Sequence, residues 1–330
     1  YNDYFGKSIS IYDDWLAISS VYDDENGYKS GSVYIYHFNG DSWLEYDKIV
    51  PEDGSPLDRF GYALDLYSEY LVIGSIFDDD VEENSGSCYI YQLDDAYQWN
   101  YHSKVHSNIV IEENHFGKSL STYNDWLIVS SIYDNVNGEK SGSAYVYYFD
   151  GYDWIFHSKL VPEDGAAFDR FGYCVDIYDD IIAIGSIYDD DMGEDSGSVY
   201  IYKLENNQWN LESKLFSSTQ EEGDFFGATL SVDSGIVAVG AVYDDVMGSN
   251  SGSVSLFSYD DGIWSETEKI VAFDGMEYDF FGNAIDLNND RLIVGAFHDN
   301  NLYQNYYLHT DRRGVQYNSL QLSFHLILFA

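Results

Sequence analysis

The dipeptide Phe-Gly returns along this chain at an almost constant interval. It stands at Phe5-Gly6, Phe60-Gly61, Phe116-Gly117, Phe171-Gly172, Phe226-Gly227 and Phe281-Gly282, with steps of 55, 56, 55, 55 and 55 residues. Other landmarks keep the same step. Ser-Gly-Ser falls at 30–32, 85–87, 141–143, 196–198 and 251–253, and Trp at 43, 99, 154, 209 and 264. Each Trp is followed five residues later by a lysine: Lys48, Lys104, Lys159, Lys214 and Lys269. A unit this short buries its apolar faces only by stacking on copies of itself, so the repeat outranks the two domains that 330 residues would otherwise suggest.

Within the first unit, Ser8–Tyr12 alternates small or polar with apolar residues, the period-2 signature of a strand. Asp13-Asp14 then reads as a two-residue turn, Trp15–Ser20 as a second strand, Val33–Phe38 as a third and Trp43–Val50 as a fourth. The same turn position holds Ser68-Glu69, Asn124-Asp125, Asp179-Asp180, Ser234-Gly235 and Asn289-Asp290. Third strands such as VYIY, CYIY and AYVY carry large side chains on both faces, so both faces require cover. Four-stranded antiparallel blades stacked face on face supply it, and the predicted fold is an all-β β-propeller of about 55 residues per blade. Five full blades are expected at about 5–59, 60–115, 116–170, 171–225 and 226–280, with a partial sixth at 281–300. Small residues at Ser19, Gly74, Ser130, Gly185, Gly240 and Gly295 suit strands that approach closely. Gly6, Gly61, Gly117, Gly172, Gly227 and Gly282 are predicted structural positions, each a turn with positive φ or a close backbone contact, with the preceding Phe anchoring it. Residues 301–330 lack Ser-Gly-Ser and Trp, carry two Arg against one Asp, and form an atypical tail expected to be foreign to the repeat.

Phe-Gly, a hairpin, Val-Gly-Ala (239–241, 294–296) or Ile-Gly-Ser (73–75, 184–186), then Ser-Gly-Ser ahead of VYIY: this order resembles the FG-GAP repeat, which builds the N-terminal propeller of integrin α subunits. The resemblance covers residues 1–300. It implies a propeller used for adhesion or ligand binding, located outside the cell or on its surface, most often with seven blades. The chain is therefore expected to be a piece of a larger propeller. Integrin blades that bind Ca²⁺ carry an acidic loop between their first two strands. Here that connection is a two-residue turn, too short to wrap a cation needing six to eight oxygens, so the family's calcium site is not carried over.

Acidic residues gather instead between the second and third strands. Asp23, Asp78, Asp134, Asp189, Asp244 and Asp299 occupy one repeat position, followed by Asp24, Asp79, Asn135, Asp190, Asp245 and Asn300. Two readings stand side by side. Clustered carboxylates suit a hard cation, which makes Asp23, Asp24, Asp78, Asp79, Asp134, Asp189, Asp190, Asp244 and Asp245 calcium candidates. An Asx at a fixed loop position equally suits a turn in which the short side chain accepts backbone N–H groups, and Asn replaces Asp there freely.

The chain carries 58 acidic against 15 basic residues, a formal charge of −43. Phosphate repels such a surface, so nucleic acid is not an expected partner, and no apolar run is long enough for membrane insertion. Cys88 and Cys174 lie in unlike contexts and read as small core residues rather than a disulfide. Eight histidines show no zinc spacing, with His102 and His157 on variable, exposed strand positions. No nucleophile elbow, P-loop or dinucleotide fingerprint is present, so no catalytic residue is assigned and a non-enzymatic module is expected. Its partner would be a protein or glycan held by loops at one rim, and the divergent loop 106–115 marks a candidate rim. The competing readings are a polysaccharide-active enzyme and a structural spacer.

Overall fold

A computed structural model describes residues 3–108, 113–289, 291–298 and 324–328. Every regular element among them is a strand. The first sheet contains β1 (Phe5–Tyr12), β2 (Trp15–Ser20), β3 (Ser32–Phe38) and β4 (Trp43–Ile49). The second holds β5 (Phe60–Tyr67), β6 (Tyr70–Ser75), β7 (Ser87–Leu93) and β8 (Trp99–Val105), and the third β9 (Phe116–Tyr123), β10 (Trp126–Ser131), β11 (Ser143–Phe149) and β12 (Trp154–Leu160). The fourth is built from β13 (Phe171–Tyr178), β14 (Ile181–Ser186), β15 (Ser198–Glu205) and β16 (Gln208–Leu215). The fifth comprises β17 (Phe226–Asp233), β18 (Ile236–Ala241), β19 (Ser253–Asp260) and β20 (Ile263–Ile270). In the partial sixth, β21 (Phe281–Asn288) pairs with β22 (Arg291–Ala296), which also pairs with β23 (Phe324–Leu328). Strands follow chain order in every sheet, so each sheet is an antiparallel meander. The architecture is that of propeller blades. By packing, the chain divides into two compact units, Tyr1–Asp179 and Asp180–Ala330.

In the first unit the apolar core lies between successive sheets. Trp15, Ala17, Val33, Ile35 and Ile49 of the first blade pack on Phe60, Leu64, Leu66, Leu71, Ile73, Tyr89 and Trp99 of the second. Cys88, Ile90, Val105 and Tyr70 of the second meet Phe116, Leu120, Leu127, Val129, Tyr145 and Trp154 of the third. Burial on both strand faces explains the unbroken apolar runs of the third strands. The first blade departs from this pattern. Its inner strand leaves Ile9, Ile11 and Phe5 in water, Phe5 being 55% exposed where its counterpart Phe60 is 0% exposed.

Phe-Gly does not sit in a turn ahead of the strand. It opens the strand, and the ladder slips there: β5 pairs Phe60 with Ser75 but resumes only at Leu64–Ile73. Gly61 has φ +89°, and a Cβ on it would lie 2.9 Å from the Ser19 Cβ of the preceding blade. A turn and a bulge both demand positive φ from glycine, so the local sequence does not separate them. The Ser-Gly-Ser glycine meets a neighbour more closely still. Gly31 forms a parallel bridge with Phe60, and a Cβ on Gly31 would stand 2.1 Å from the Phe60 carbonyl oxygen. The small second-strand residues meet the next blade as expected, a Cβ on Gly74 falling 2.2 Å from the Gly117 carbonyl.

In the second unit, Ala238, Val254, Leu256 and Ile270 of the fifth blade pack on Phe281, Leu287, Leu292 and Val294 of the sixth. The Phe226 N–H donates to the Ser196 carbonyl and the Phe281 N–H to the Ser251 carbonyl, each at 2.9 Å. The first unit repeats this with Phe60 to Ser30, Phe116 to Ser85 and Phe171 to Ser141.

Candidate functional site

The acidic loop between second and third strands is held by a side-chain knot that recurs in the full blades. In the second blade, the Asp78 Oδ2 accepts from the Ser87 hydroxyl and the Tyr89 hydroxyl, both at 2.8 Å, and from the Lys104 ammonium at 2.7 Å. Its other oxygen, Oδ1, accepts the Asp80 N–H at 3.0 Å. Asp189 repeats the set with Ser198 at 2.9 Å, Tyr200 at 3.0 Å and Lys214 at 2.7 Å. Asp23 gathers Ser32 at 3.0 Å, Tyr34 at 3.4 Å and Lys48 at 2.9 Å, and Asp134 gathers Ser143, Tyr145 and Lys159. In the fifth blade Asp244 binds Ser253 and Lys269, while Ser255 stands in the tyrosine's place.

Electrostatics follow from this arrangement. Burial alone would raise the Asp23 carboxyl, but Lys48 and Ser32 hold it below its ordinary value. Burial would likewise lower the Lys48 ammonium, and Glu25 and Asp23 outweigh it and push that group up. Lys104, facing Asp78, Asp80 and Asp53, is raised against the same burial.

The following Asx does a different task. Asp24 Oδ1 accepts the N–H of Lys29 at 2.8 Å, five residues on, and Asp190 accepts that of Asp195 at 2.8 Å. Asp245 and Asn135 do the same for Asn250 and Lys140, and Asp79 for Asn84. Only a carbonyl-type oxygen is used, so the amide of Asn135 serves as well as a carboxylate. A calcium ion does not fit these residues. The Oδ2 of each inner carboxylate already serves a lysine ammonium and a serine hydroxyl, and among the described residues no three His, Cys, Asp or Glu side chains converge on a metal position. Asp299 and Asn300 lie outside the described residues.

The loops between blades lie against these acidic loops and hold a feature that the sequence did not disclose. Leu57 has φ +79°, Phe168 +75° and Tyr278 +67°, values that bulky L-residues rarely adopt. Each is fixed by its own N–H, which donates to Tyr28, Glu139 and Ser249 respectively at 2.8, 2.7 and 2.7 Å. All three side chains face water, Leu57 and Phe168 at 50% exposure and Tyr278 at 52%. Gly223 fills the same position in the loop before the fifth blade, so the fold accepts glycine there. Apolar residues at a left-handed position carry no local signature, which is why the sequence was silent about them.

The remaining sequence candidates sort plainly. His102 and His157 are half-buried rather than exposed, stacked against Tyr70 and set edge-on to Trp126. Cys88 is a core residue, but Cys174 is half-buried on an inner strand; neither forms a disulfide. Loop 106–115 is described except for 109–112.

The sequence model of the FG-GAP repeat matches residues 1–36, 43–91, 99–147, 154–202, 209–257 and 264–308. This chain belongs to the FG-GAP repeat family. The matched unit begins at an outermost strand and runs through the third strand of the next sheet, so a family repeat straddles two blades of an FG-GAP chain. No curated protein matches the sequence. Among solved structures, the fold is similar to that of a "putative 6-phosphogluconolactonase" from Bacteroides uniformis, at TM-score 0.61 and 7% identity over 98% of this chain and 85% of that one. At that identity the likeness concerns the fold alone. No helix among the described residues is long and apolar enough to cross a membrane.

Proposed function

We propose that this FG-GAP chain is a non-enzymatic binding and adhesion module that works outside the cell, gripping a protein or glycan through its inter-blade loops. The observation that carries this reading is the set Leu57, Phe168 and Tyr278. A left-handed conformation costs a bulky residue about 1–2 kcal/mol, and glycine avoids that cost. Leu57, Phe168 and Tyr278 carry the strain and leave their apolar bodies in water, which gains nothing for the folded chain. Strained, exposed side chains on firmly anchored loops are the pattern of a ligand contact. Family membership supports the same reading, and the acidic knots beneath supply the rigidity that such contacts need.

The test is a glycan and protein array probed with the full chain, then with Leu57→Gly and Phe168→Gly. Glycine relieves the strain while removing the contact. Captured ligand should bind at least about tenfold more weakly to the variants, with melting temperature unchanged or raised. Absence of any ligand, or binding that the substitutions leave intact, refutes the reading.

A further inference from the structure

The residue after Phe-Gly is Lys7 in β1, Tyr62 in β5, Lys118 in β9 and Tyr173 in β13, four inner strands that neighbour one another within the first unit. The four side chains form a ladder. Lys7 Nζ lies 4.8 Å from the centre of the Tyr62 ring, and Lys118 Nζ lies 5.6 Å from that ring and 4.3 Å from the Tyr173 ring. Two ammonium groups thus share one tyrosine. In a chain with 58 acids, every blade-knot lysine reaches a carboxylate, yet among the described residues neither Lys7 nor Lys118 has one. Ring faces offset part of the cost of desolvating a cation, about 0.5–2 kcal/mol each, but do not neutralise it. Burial pushes the Lys118 ammonium down to about 8, and Lys7 and Arg170 push the same way, while the Cys174 thiol opposes them. Lys7 stands on the exposed inner strand of the first blade, and partial desolvation lowers it as well.

We propose that the Lys7–Tyr62–Lys118–Tyr173 ladder is a binding site for an anionic oxygen group, a carboxylate or a phosphate, held by the two ammonium groups that share the Tyr62 ring. An oxyanion there relieves the repulsion between Lys7 and Lys118 and gains charge-assisted hydrogen bonds from both. The −43 charge of the chain does not forbid it, because salt screens distant carboxylates beyond about 8 Å at physiological ionic strength. The fifth and sixth blades place Ala228 and Asn283 at the equivalent position, so the ladder belongs to the first four repeats. The site is separate from the inter-blade loops and does not depend on what they bind.

Calorimetric titration of the full chain with inorganic phosphate and, separately, with galacturonate tests it, alongside Lys118→Met, Lys7→Met and Lys29→Met. Saturable binding of at least one probe is expected, weakened tenfold or more by Lys118→Met or Lys7→Met and unchanged by Lys29→Met. Which probe binds identifies phosphate or carboxylate as the source. A second readout is the titration of the Lys118 amine by nitrogen-15 NMR, which should move upward when the probe is present. Binding of neither probe, binding that survives both substitutions, or an unmoved Lys118 titration overturns the proposal.

Discussion

The Lys159 ammonium stands 2.5 Å from the Asp134 Oδ2, a carboxylate 1% exposed that also accepts from the Ser143 and Tyr145 hydroxyls. This contact ties the outermost strand of the third blade to the loop that leaves its second strand. A buried charge stripped of its partner is costly, so Lys159→Met should destabilise by about 3–5 kcal/mol. Adding Asp134→Asn should recover part of that loss, because the stranded charge is removed with its partner. Thermal melts of the three variants check this. Purely additive losses would mean that the two residues do not act as a pair.

Phe5 and Phe60 occupy the same repeat position with opposite surroundings. Phe60→Ala empties a fully buried site and should cost about 3–5 kcal/mol, whereas Phe5→Ala should cost less than about 1 kcal/mol in this chain. Denaturation midpoints of the two variants distinguish them. Equal losses would show that Phe5 is covered in solution.

Asp58 is buried, and its Oδ2 accepts the Ser55 N–H at 2.7 Å. Burial pushes its carboxyl up to about 7; that hydrogen bond opposes the rise, while Asp78 and Asp79 add to it. Asp224 rises to about 6 by burial, with Asp244 adding to it. An acid whose folded value exceeds the unfolded one, about 3.9, binds more protons in the folded state. Stability then falls as pH rises from about 4 to about 7. Asp58→Asn keeps an acceptor oxygen and removes the charge, and the third blade carries an amide, Asn114, at the same repeat position. The variant should exceed the parent by on the order of 2 kcal/mol at pH 8 and match it near pH 4. Melting curves at the two pH values decide; a variant less stable at pH 8 contradicts the assignment. Asp23, held low by Lys48, works the other way and loses its contribution only as pH falls through its folded value.

A formal charge of −43 repels itself across the surface, while the lysine ties lie in partly buried knots that salt screens weakly. Melting temperature should therefore rise with NaCl. A flat or falling response to molar salt would show that exposed repulsion is not what limits stability.

Periodicity made the blades legible. Strand limits in the first unit were met within a few residues, because a two-residue turn such as Asp13-Asp14 and an alternating run leave few other pairings. The knot was half legible: Asp23 and Lys48, like Asp189 and Lys214, keep step through the repeats. Which acid each lysine would choose depends on the outermost strand folding back beside the loop, a non-local fact. The conformations of Leu57, Phe168 and Tyr278 are imposed by hydrogen bonds to the acidic loop far back along the chain, at Tyr28, Glu139 and Ser249, and nothing in a leucine announces them. The ladder escaped notice for a similar reason, since Lys7, Tyr62, Lys118 and Tyr173 meet only when four repeats are stacked.

The recurring loop carboxylates are neutralised from within the chain, by the lysine of the outermost strand. Calorimetric titration of the chelator-treated protein with Ca²⁺ addresses that directly. No saturable heat is predicted, and the shift in melting temperature should equal that produced by NaCl at matched ionic strength. A saturable heat with integral stoichiometry, lost in Asp78→Asn or Asp189→Asn, would contradict it.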